Sequence, residues 1–363
     1  MSDLLYTEEE EALRSAVRGL LAAHCDAASV LARVETDEPH DRALWKSLAE
    51  GMGLAGLLIP EELGGQGATH REVAVVLEEL GRSVAPVPYL TSAVVATEAL
   101  LDCAGDEASA LLGMLASGRT VGVLAVPLSA APGQAFSGVR EEGGRLEGQV
   151  TGVADAAAAD VLLVPTSSGL YAVDVTDDGV TVEARTSLDP TRPVATVTFA
   201  GARARVLTDN AAPAVRRALR AGAGLLASEQ LGLADWCLTE TVRYTRERHQ
   251  FNRPVGSFQA LKHRLAQVWL EVVGVRAAAR SAADTLAAGS DDADVAVAVA
   301  QAYAGPAAVH AAEEALQLHG GIGMTWEHPV HLYLKRAKAD SIALGSAGRH
   351  REELAELVDL RAP

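Results

Sequence analysis

The stretch RYTRERHQFNRPVGSFQALKH, residues 243–263, joins two long amphipathic segments. Its first part closes a helical pattern with several arginines. Pro254 and Gly256 then interrupt that pattern, and an amphipathic run starts again at Ser257. Proline and glycine after a periodic segment mark a helix end followed by a turn. The stretch therefore predicts two long helices that pack side by side.

The same periodicity extends through the C-terminal part of the chain. Apolar residues recur there at three and four spacing, alanine is abundant, and charges keep to one side of each segment. The predicted helices span residues 215–248, 257–288, 292–319 and 330–358. Segments of this kind pack as a bundle, because each must bury one apolar stripe against its neighbours.

The remaining sequence divides into a helical and a β-rich part. Residues 7–117 carry helical periodicity, whereas short β-branched runs separated by glycines and acids follow from about residue 118 to about residue 205. We predict an α+β fold that is mostly α: an N-terminal helical domain, a middle antiparallel β-domain and a C-terminal four-helix bundle. The predicted domains are residues 1–118, 119–212 and 213–363.

Composition excludes several classes of function. A net charge of -17 argues against nucleic-acid binding, since a phosphate backbone favours basic surfaces. The three cysteines, Cys25, Cys103 and Cys237, are far apart and predict no disulfide framework. The acidic start does not resemble a signal peptide, and no apolar stretch of about 18 residues is free of charge. We expect a cytoplasmic protein without a membrane span.

Three stretches, in this order, resemble the acyl-CoA dehydrogenase family. They are IPEELGGQGATHREVAVVLEELGRSVAPVPYL (residues 59–90), RHQFNRPVGSFQ (248–259) and ALQLHGGIGMTWEHPVHLYLKRAKA (315–339). The resemblance covers essentially the whole chain. It implies oxidation of an acyl-CoA thioester between its α and β carbons, in which a carboxylate removes the α proton and FAD accepts the β hydrogen as hydride. It also implies a tetramer with each FAD lying across a subunit interface.

The resemblance assigns two residues of the stretch 243–263 to FAD. Arg248 matches the arginine that meets the pyrophosphate, and Phe251 the aromatic near the adenosine half. A planar guanidinium offers paired donors to anionic oxygens. Alternatively, Arg243, Arg246, Arg248 and Arg253 only complement the negative end of the preceding helix. We assign Arg248 to FAD and treat the other three arginines as solvated or interface charges.

The motif QLHGGIG supplies the second cofactor element. The resemblance implies that Gln317 presents its amide to the dinucleotide and that Gly320 and Gly321 let the backbone come close to it. The simpler interpretation is a glycine helix stop after a C-terminal histidine. Both interpretations hold together, because a helix stop exposes that backbone.

Several histidines could be mistaken for a metal site. His263, His319, His328, His331 and Glu327 offer ligand types. Their spacing places His328 and His331 at a helix entry, where a cap or interface role fits better. We expect no metal.

The chain departs from the family at the catalytic base. In SIALGSAGRH (residues 341–350), Leu344 occupies the position of the usual glutamate, and leucine cannot accept a proton. Some members carry the base on the first bundle helix, where this chain has Gly222; the nearest acid, Glu229, is about two turns later. Asp340 precedes Leu344 by one helical turn and is the remaining candidate.

The β-domain shows a matching loss. In RLEGQVTGVADAAAAD (residues 145–160), the family's lysine is replaced by Val150, the aromatic that screens the flavin by Gly152, and the hydroxyl near its N5 edge by Ala154. The loop VGVLAVPLSAAPGQ (residues 121–134) also lacks the family's substrate-loop pattern. The resemblance thus predicts no catalytic residue in this chain, while the adenosine-side elements are kept.

This combination is similar to the shorter, base-lacking partner subunit of heteromeric acyl-CoA dehydrogenases in actinobacterial steroid catabolism. That resemblance implies an α2β2 heterotetramer with a catalytic acyl-CoA dehydrogenase subunit, a FAD shared across the interface, acyl-CoA in the partner's cleft and an electron-transfer acceptor. Two alternatives stay open. One is a self-sufficient enzyme that uses Asp340 or another acid as base, and the other is a flavin-free scaffold with the same fold.

The segment TWEHPVHLYLKRAKA (residues 325–339) also has two interpretations. Five side chains could line a path for the CoA phosphates, or could be the packing and interface face of the last helix: Trp326, Tyr333, Lys335, Arg336 and Lys338. We favour the interface, because aromatic and arginine side chains commonly anchor protein contacts.

Overall fold

The computed structural model describes residues 4–136 and 138–360. The predicted fold class is confirmed, since helical parts at both ends flank sheets in the middle. The helices of the N-terminal part are α1 (Glu8–His24), α2 (Ala27–Val34), α3 (Arg42–Lys46), α4 (His70–Arg82), α5 (Thr97–Leu101) and α6 (Asp106–Ala116). Capping boxes start α1 at Thr7 and α4 at Thr69, where side chain and backbone satisfy each other's free donors.

Two four-stranded sheets form the middle part. The strands are β1 (Gly122–Leu124), β2 (Val139–Glu142), β3 (Arg145–Ala154), β4 (Val161–Thr166), β5 (Gly169–Asp174), β6 (Val180–Arg185), β7 (Val194–Arg203) and β8 (Arg205–Thr208). One sheet has the order β2-β3-β7-β6 and is antiparallel throughout. The other has the order β1-β4-β5-β8, in which β1 pairs parallel with β4. The predicted antiparallel pairing therefore fails at this pair, because the chain passes through the other sheet before it returns.

Three long helices form the centre of the C-terminal part. They are α7 (Ala211–Glu247), α8 (Gln259–Ala287) and α9 (Ala293–His319). Helix α7 packs against α4, α8 and α9. It crosses α4 so closely that a Cβ on Gly81 would overlap the Glu229 carbonyl, and one on Gly232 would overlap the Glu78 carbonyl. Because these two glycines have no side chains, α4 and α7 pack with their backbones in direct contact, which joins the N-terminal part to the bundle.

The stretch Ala293–Met324 is long and apolar enough to cross a membrane by length and composition. In the folded chain 56% of its most apolar window is buried, where α9 packs against α7, α8 and the last helices. A core helix of a bundle has this composition for the same reason, because neighbouring helices surround it.

The single helix predicted for residues 330–358 is wrong. The structure divides it into α10 (Val330–Asp340) and α11 (Ala347–Leu357). Between them Leu344 has a left-handed backbone with φ 54°. Its N–H donates to the Leu128 carbonyl over 2.7 Å, and its carbonyl accepts from Nε2 of buried His350 over 3.0 Å. Ser346 then caps α11, so bonds to the rest of the fold favour a turn over a continuous helix.

A buried ionic network joins the β-rich part to the bundle. Arg192 contacts Asp340 over 2.6 Å and Glu229 over 2.7 Å. Arg336 contacts Asp189 and the same Glu229, each over 2.5 Å. All five side chains are at most 4% exposed. Since charges this deeply buried require partners, the loop before β7, helix α7 and helix α10 are held in one relative position.

Of the predicted packing and interface face, Tyr333 and Arg336 belong to the packing, and the interface role is wrong for these two residues. Tyr333 is 4% exposed, stacks on Trp236 with ring centroids 3.5 Å apart, and donates from its hydroxyl to the Arg82 carbonyl. Arg336 is 2% exposed and belongs to the ionic network. Trp326, at 70% exposure, stays at the surface.

Replacing Arg336 tests the network. Arg336→Met leaves Asp189 and Glu229 buried with one guanidinium fewer, and we expect the free energy of unfolding to fall by about 3–5 kcal/mol. The control Lys338→Ala removes an exposed pair with Glu313 and should change it by less than about 1 kcal/mol. Urea denaturation measures both variants. Equally small losses in the two would contradict a structural role for the network.

Candidate cofactor site

The end of α7 presents Arg248 and Phe251 to solvent. Arg248 leaves the helix with an extended backbone, and β9 (His249–Gln250) and β10 (Arg253–Pro254) then pair as a short hairpin. Phe251 and Asn252 form its tip, with left-handed φ of 53° and 62°. The Phe251 side chain is 86% exposed. An aromatic ring at such a tip is available to a ligand or to another chain.

The arginines around this hairpin have different partners. Arg243 bonds to Glu240 and Glu247 on its own helix, and Arg253 lies 3.8 Å from the centre of the Phe258 ring. For Arg246 and Arg248, the described part of the chain offers no ion pair or side-chain hydrogen bond. The exposed Arg248 guanidinium is thus free to meet an anion from outside.

The second predicted element lies at the end of α9. The helix ends at His319, and Gly320 turns away from it with φ 61° and ψ -135°. Gln317 is exposed, and a Cβ on Gly320 or Gly321 would meet no atom within 4 Å. The backbone of the two glycines is therefore uncovered, as a close approach by a ligand requires.

Contacts between rings bring these two elements to one end of the bundle. Tyr244 lies one turn before Arg248, and its ring centroid is 4.5 Å from that of His319, the residue before Gly320. Tyr244 was not among the site residues predicted from the sequence. The i, i+4 spacing of Tyr244 and Arg248, which places both on one helix face, was the available signal.

Of the histidines considered as metal ligands, His319 and His328 lie together with Glu240. Their donor atoms are all within 4.8 Å of one another. Burial lowers the pKa of both histidines, so both are neutral at pH 7. Glu240 is already held by Arg243, and Val330 at the start of α10 donates its N–H to Nδ1 of His328 over 3.3 Å. These bonds suit a helix-entry cap, and the absence of a metal stays a prediction.

Gly222 and Leu344, the two positions that the resemblance matched to the family's base, lie side by side. A Cβ on Gly222 would be 3.1 Å from Cδ1 of Leu344. Leu344 and Ala154 line one cavity of about 30 Å³, whose further walls include Leu90 and Leu219. A cavity of this size holds about one water molecule. A separate cavity of about 400 Å³ lies next to it, lined by residues that include Ser129, Ile342 and Gly345.

Sequence profiles place the chain within a known family. The acyl-CoA dehydrogenase N-terminal domain profile matches residues 7–119, and the acyl-CoA dehydrogenase C-terminal domain profile matches residues 212–358. The chain belongs to the acyl-CoA dehydrogenase family. The resemblance drawn from the motifs is thereby confirmed, and with it membership of a family of flavin-dependent oxidoreductases.

Individual acyl-CoA dehydrogenases are similar over nearly the full length. Acyl-CoA dehydrogenase IpdE2 of Mycobacterium tuberculosis is 36% identical over 341 residues, which are 93% of this chain and 94% of that protein. The ChsE4-ChsE5 complex from Mycobacterium tuberculosis contains a chain with 30% identity and a TM-score of 0.88, with full coverage of both chains. A variant of the Tcur3481-Tcur3483 steroid ACAD gives 31% identity and a TM-score of 0.86, over 97% of this chain and 98% of that one.

Asp340, the acid that the sequence left as the candidate base of this family member, lies outside the cavity wall. It is fully buried, and its Oδ1 accepts from Arg192 while Oδ2 has no partner among the described residues. Burial, together with the charge of Glu229, raises the pKa of Asp340 to about 8 despite the nearby guanidiniums. The network contains two guanidiniums and three carboxyl groups, so a protonated Asp340 leaves it neutral. A protonated acid outside the cavity is not placed to act as base.

The raised pKa of Asp340 predicts a pH-dependent stability. The folded chain keeps the proton up to about pH 8, whereas the unfolded chain releases it near pH 4. The stabilisation is therefore complete below about pH 4 and is lost as the pH rises from there through about 8. Asp340→Asn replaces the acid with an uncharged side chain of similar shape. Denaturation between pH 5 and pH 8 should show the unmodified protein losing stability relative to this variant, and parallel curves would refute the assignment.

Proposed function

We propose that this chain is a FAD-contributing, non-catalytic subunit of a hetero-oligomeric acyl-CoA dehydrogenase. The observation that carries the proposal is the contrast between two regions of the chain, the cavity at Leu344 and Ala154 and the surface at Arg248 and the glycine turn. The position of the family base and the ring-side wall enclose a cavity of about 30 Å³ lined by apolar residues such as Leu344 and Ala154. The adenosine-side residues, by contrast, are exposed and available.

The two halves differ in how they fit FAD. On the adenosine side, Arg248 would meet the pyrophosphate, Phe251 would lie beside the adenosine, and Gln317, Gly320 and Gly321 would approach the dinucleotide through amide and backbone groups. When bound, FAD supplies the hydride acceptor of the reaction. The cavity at Leu344 and Ala154 is too small for a flavin ring, which supports a ring site in the cleft of another subunit.

Exposed apolar side chains support a partner chain. Trp269 and Leu270 on α8 are 55% and 56% exposed, and Met324 and Trp326 beyond α9 are 75% and 70% exposed. Large apolar residues exposed in this way mark protein interfaces. The partner we propose is a catalytic acyl-CoA dehydrogenase subunit in an α2β2 assembly, which holds the acyl-CoA in its own cleft and passes electrons to an external acceptor.

A steroid-derived acyl-CoA is the substrate class we propose for the partner. The name of one similar structure identifies it as a steroid acyl-CoA dehydrogenase, and that of another as a two-component complex. A cytoplasmic location, expected from the sequence, stays a prediction.

The two other hypotheses have less support. A self-sufficient enzyme would need a base, and Asp340 is buried in the ionic network outside the cavity. A flavin-free scaffold would have no use for an unpaired, exposed Arg248 beside an uncovered glycine turn.

The FAD content of the purified chain tests the proposal. We expect the chain alone to bind little FAD, and co-expression with a base-bearing acyl-CoA dehydrogenase chain to give a yellow tetramer with one FAD per pair of chains. Absorbance spectra and mass measurement in solution determine the ratio and the assembly. A yellow homotetramer with one FAD per chain and acyl-CoA oxidation would overturn the proposal.

Arg248→Ala tests the adenosine-side assignment within that complex. Loss of the pyrophosphate contact should weaken FAD binding by about 1.5–3 kcal/mol, the usual worth of a hydrogen bond to a charged group. Arg246→Ala is the matched control, because Arg246 is also exposed and lies just before Arg248 at the same helix end. Fluorescence titration of flavin-depleted complex with FAD measures both. Equal FAD affinity in the two variants would remove Arg248 from the site.

A further inference from the structure

We propose that His319 is a positioning residue for FAD binding, acting through a stack of three rings formed by Tyr244, His319 and His328. The stack holds the end of α7, which carries Arg248, in register with the glycine turn after α9. This inference rests on the proposed function, because it requires that both elements meet the same FAD.

The geometry of the stack places His319 in the middle. Its ring centroid is 4.5 Å from that of Tyr244 and 4.2 Å from that of His328, with interplanar angles of 31° and 42°. His319 is 2% exposed, and its Nδ1 donates to the Ala315 carbonyl over 2.6 Å. That bond fixes the ring orientation between its two neighbours.

On one side the stack is connected to Arg248. The Arg248 N–H donates to the Tyr244 carbonyl over 2.8 Å, so the two residues belong to the same last turn. Arg248 itself is exposed. A shift of the Tyr244 ring would therefore move the backbone from which the Arg248 guanidinium extends.

On the other side the stack is connected to the glycine turn. His319 is the last residue of α9, and the next residue, Gly320, donates its N–H to the Gln317 carbonyl. The turn folds back so closely that a Cβ on Gly323 would be 3.0 Å from Cβ of His319. His319 is buried while Gly320 and Gly321 are exposed, so the ring is the last buried anchor before the turn.

A metal ion is the competing explanation for these side chains. Nε2 of His319 is buried without a hydrogen-bond partner in the described residues, and Glu240 and His328 lie within reach of it. Glu240, however, is bonded through both carboxylate oxygens to Arg243, and a guanidinium beside a bound cation would repel it. Ring stacking uses the contacts that are present and needs no further ion.

The experiment compares three variants in the complex with the catalytic chain. His319→Ala removes the middle ring and should weaken FAD binding about tenfold, the order expected for two lost aromatic contacts. His319→Phe keeps a ring of similar shape and should stay within about threefold of the unmodified complex. His331→Ala is the control, because His331 lies against Trp326 outside the stack and should leave FAD affinity unchanged. FAD titration gives the affinity, and mass in solution shows whether the tetramer is intact.

The results distinguish the positioning role of His319 from the absence of such a role and from a metal site. If His319→Ala binds FAD as tightly as the unmodified complex, or if His319→Phe is as weak as His319→Ala, the positioning role is refuted. Weaker FAD binding after EDTA treatment of the unmodified complex would also refute it, in favour of a metal. If His319→Ala does not assemble, Tyr244→Leu tests the same stack from the other side, with the same weakening expected and unaltered affinity refuting the role.

Arg248→Ala, measured in parallel, separates the FAD assignment of Arg248 from the positioning role of His319. Unaltered FAD affinity in Arg248→Ala would overturn the adenosine-side assignment on which the inference rests. Weakened binding in Arg248→Ala together with normal binding in His319→Ala would overturn the positioning role alone.

Discussion

The buried contacts of Arg192 and Arg336 with Glu229, Asp189 and Asp340 are the constraint on which the rest of the structure depends. They connect a loop of the β-rich part to two helices of the bundle at a place that water does not reach. Unpaired charges would be strongly unfavourable there, so none of the three elements can move independently. A protonated Asp340 makes the net charge of the network zero. Its bond to Arg192 also holds this acid outside the cavity at Leu344.

The position of α10 in turn determines the shape of the cleft. Because α10 ends at Asp340 within the network, the chain turns at Leu344 and not further along a helix. The turn is held by the Leu128 carbonyl and by His350, and it directs Leu344 toward Gly222 and Ala154. Three positions that the resemblance matched to the family's base and flavin contacts thus meet here as an apolar contact. Leu344 and Ala154 are buried and belong to the apolar core here.

The opposite end of the bundle is exposed to solvent, in contrast to the buried contact at Leu344. Arg248, Phe251 and the glycine turn are exposed, and their neighbours Met324 and Trp326 offer apolar surface. In a chain with a net charge of -17, the free guanidinium of Arg248 is a local feature, since Arg243 beside it is neutralised by acids. The contrast between the apolar contact at Leu344 and the exposed surface at Arg248 is the physical basis of the proposal that another subunit performs the chemistry.

The sequence by itself determined the three-part fold, the turn between the first two long helices and the glycine stop after His319, because periodicity and turn residues are local properties. The loss of the base stays a prediction from the resemblance. The sequence placed Gly222 and Leu344 at equivalent positions, and the structure brings them into contact. Only the tertiary structure decided that Arg336 and Tyr333 are interior, that the last helix breaks at Leu344 and that Tyr244 stacks on His319. Those outcomes depend on partners distant along the chain, such as Arg192 and Asp340, which are 148 residues apart. Burial of a charge is decided by the partner it meets, and no local pattern identifies that partner.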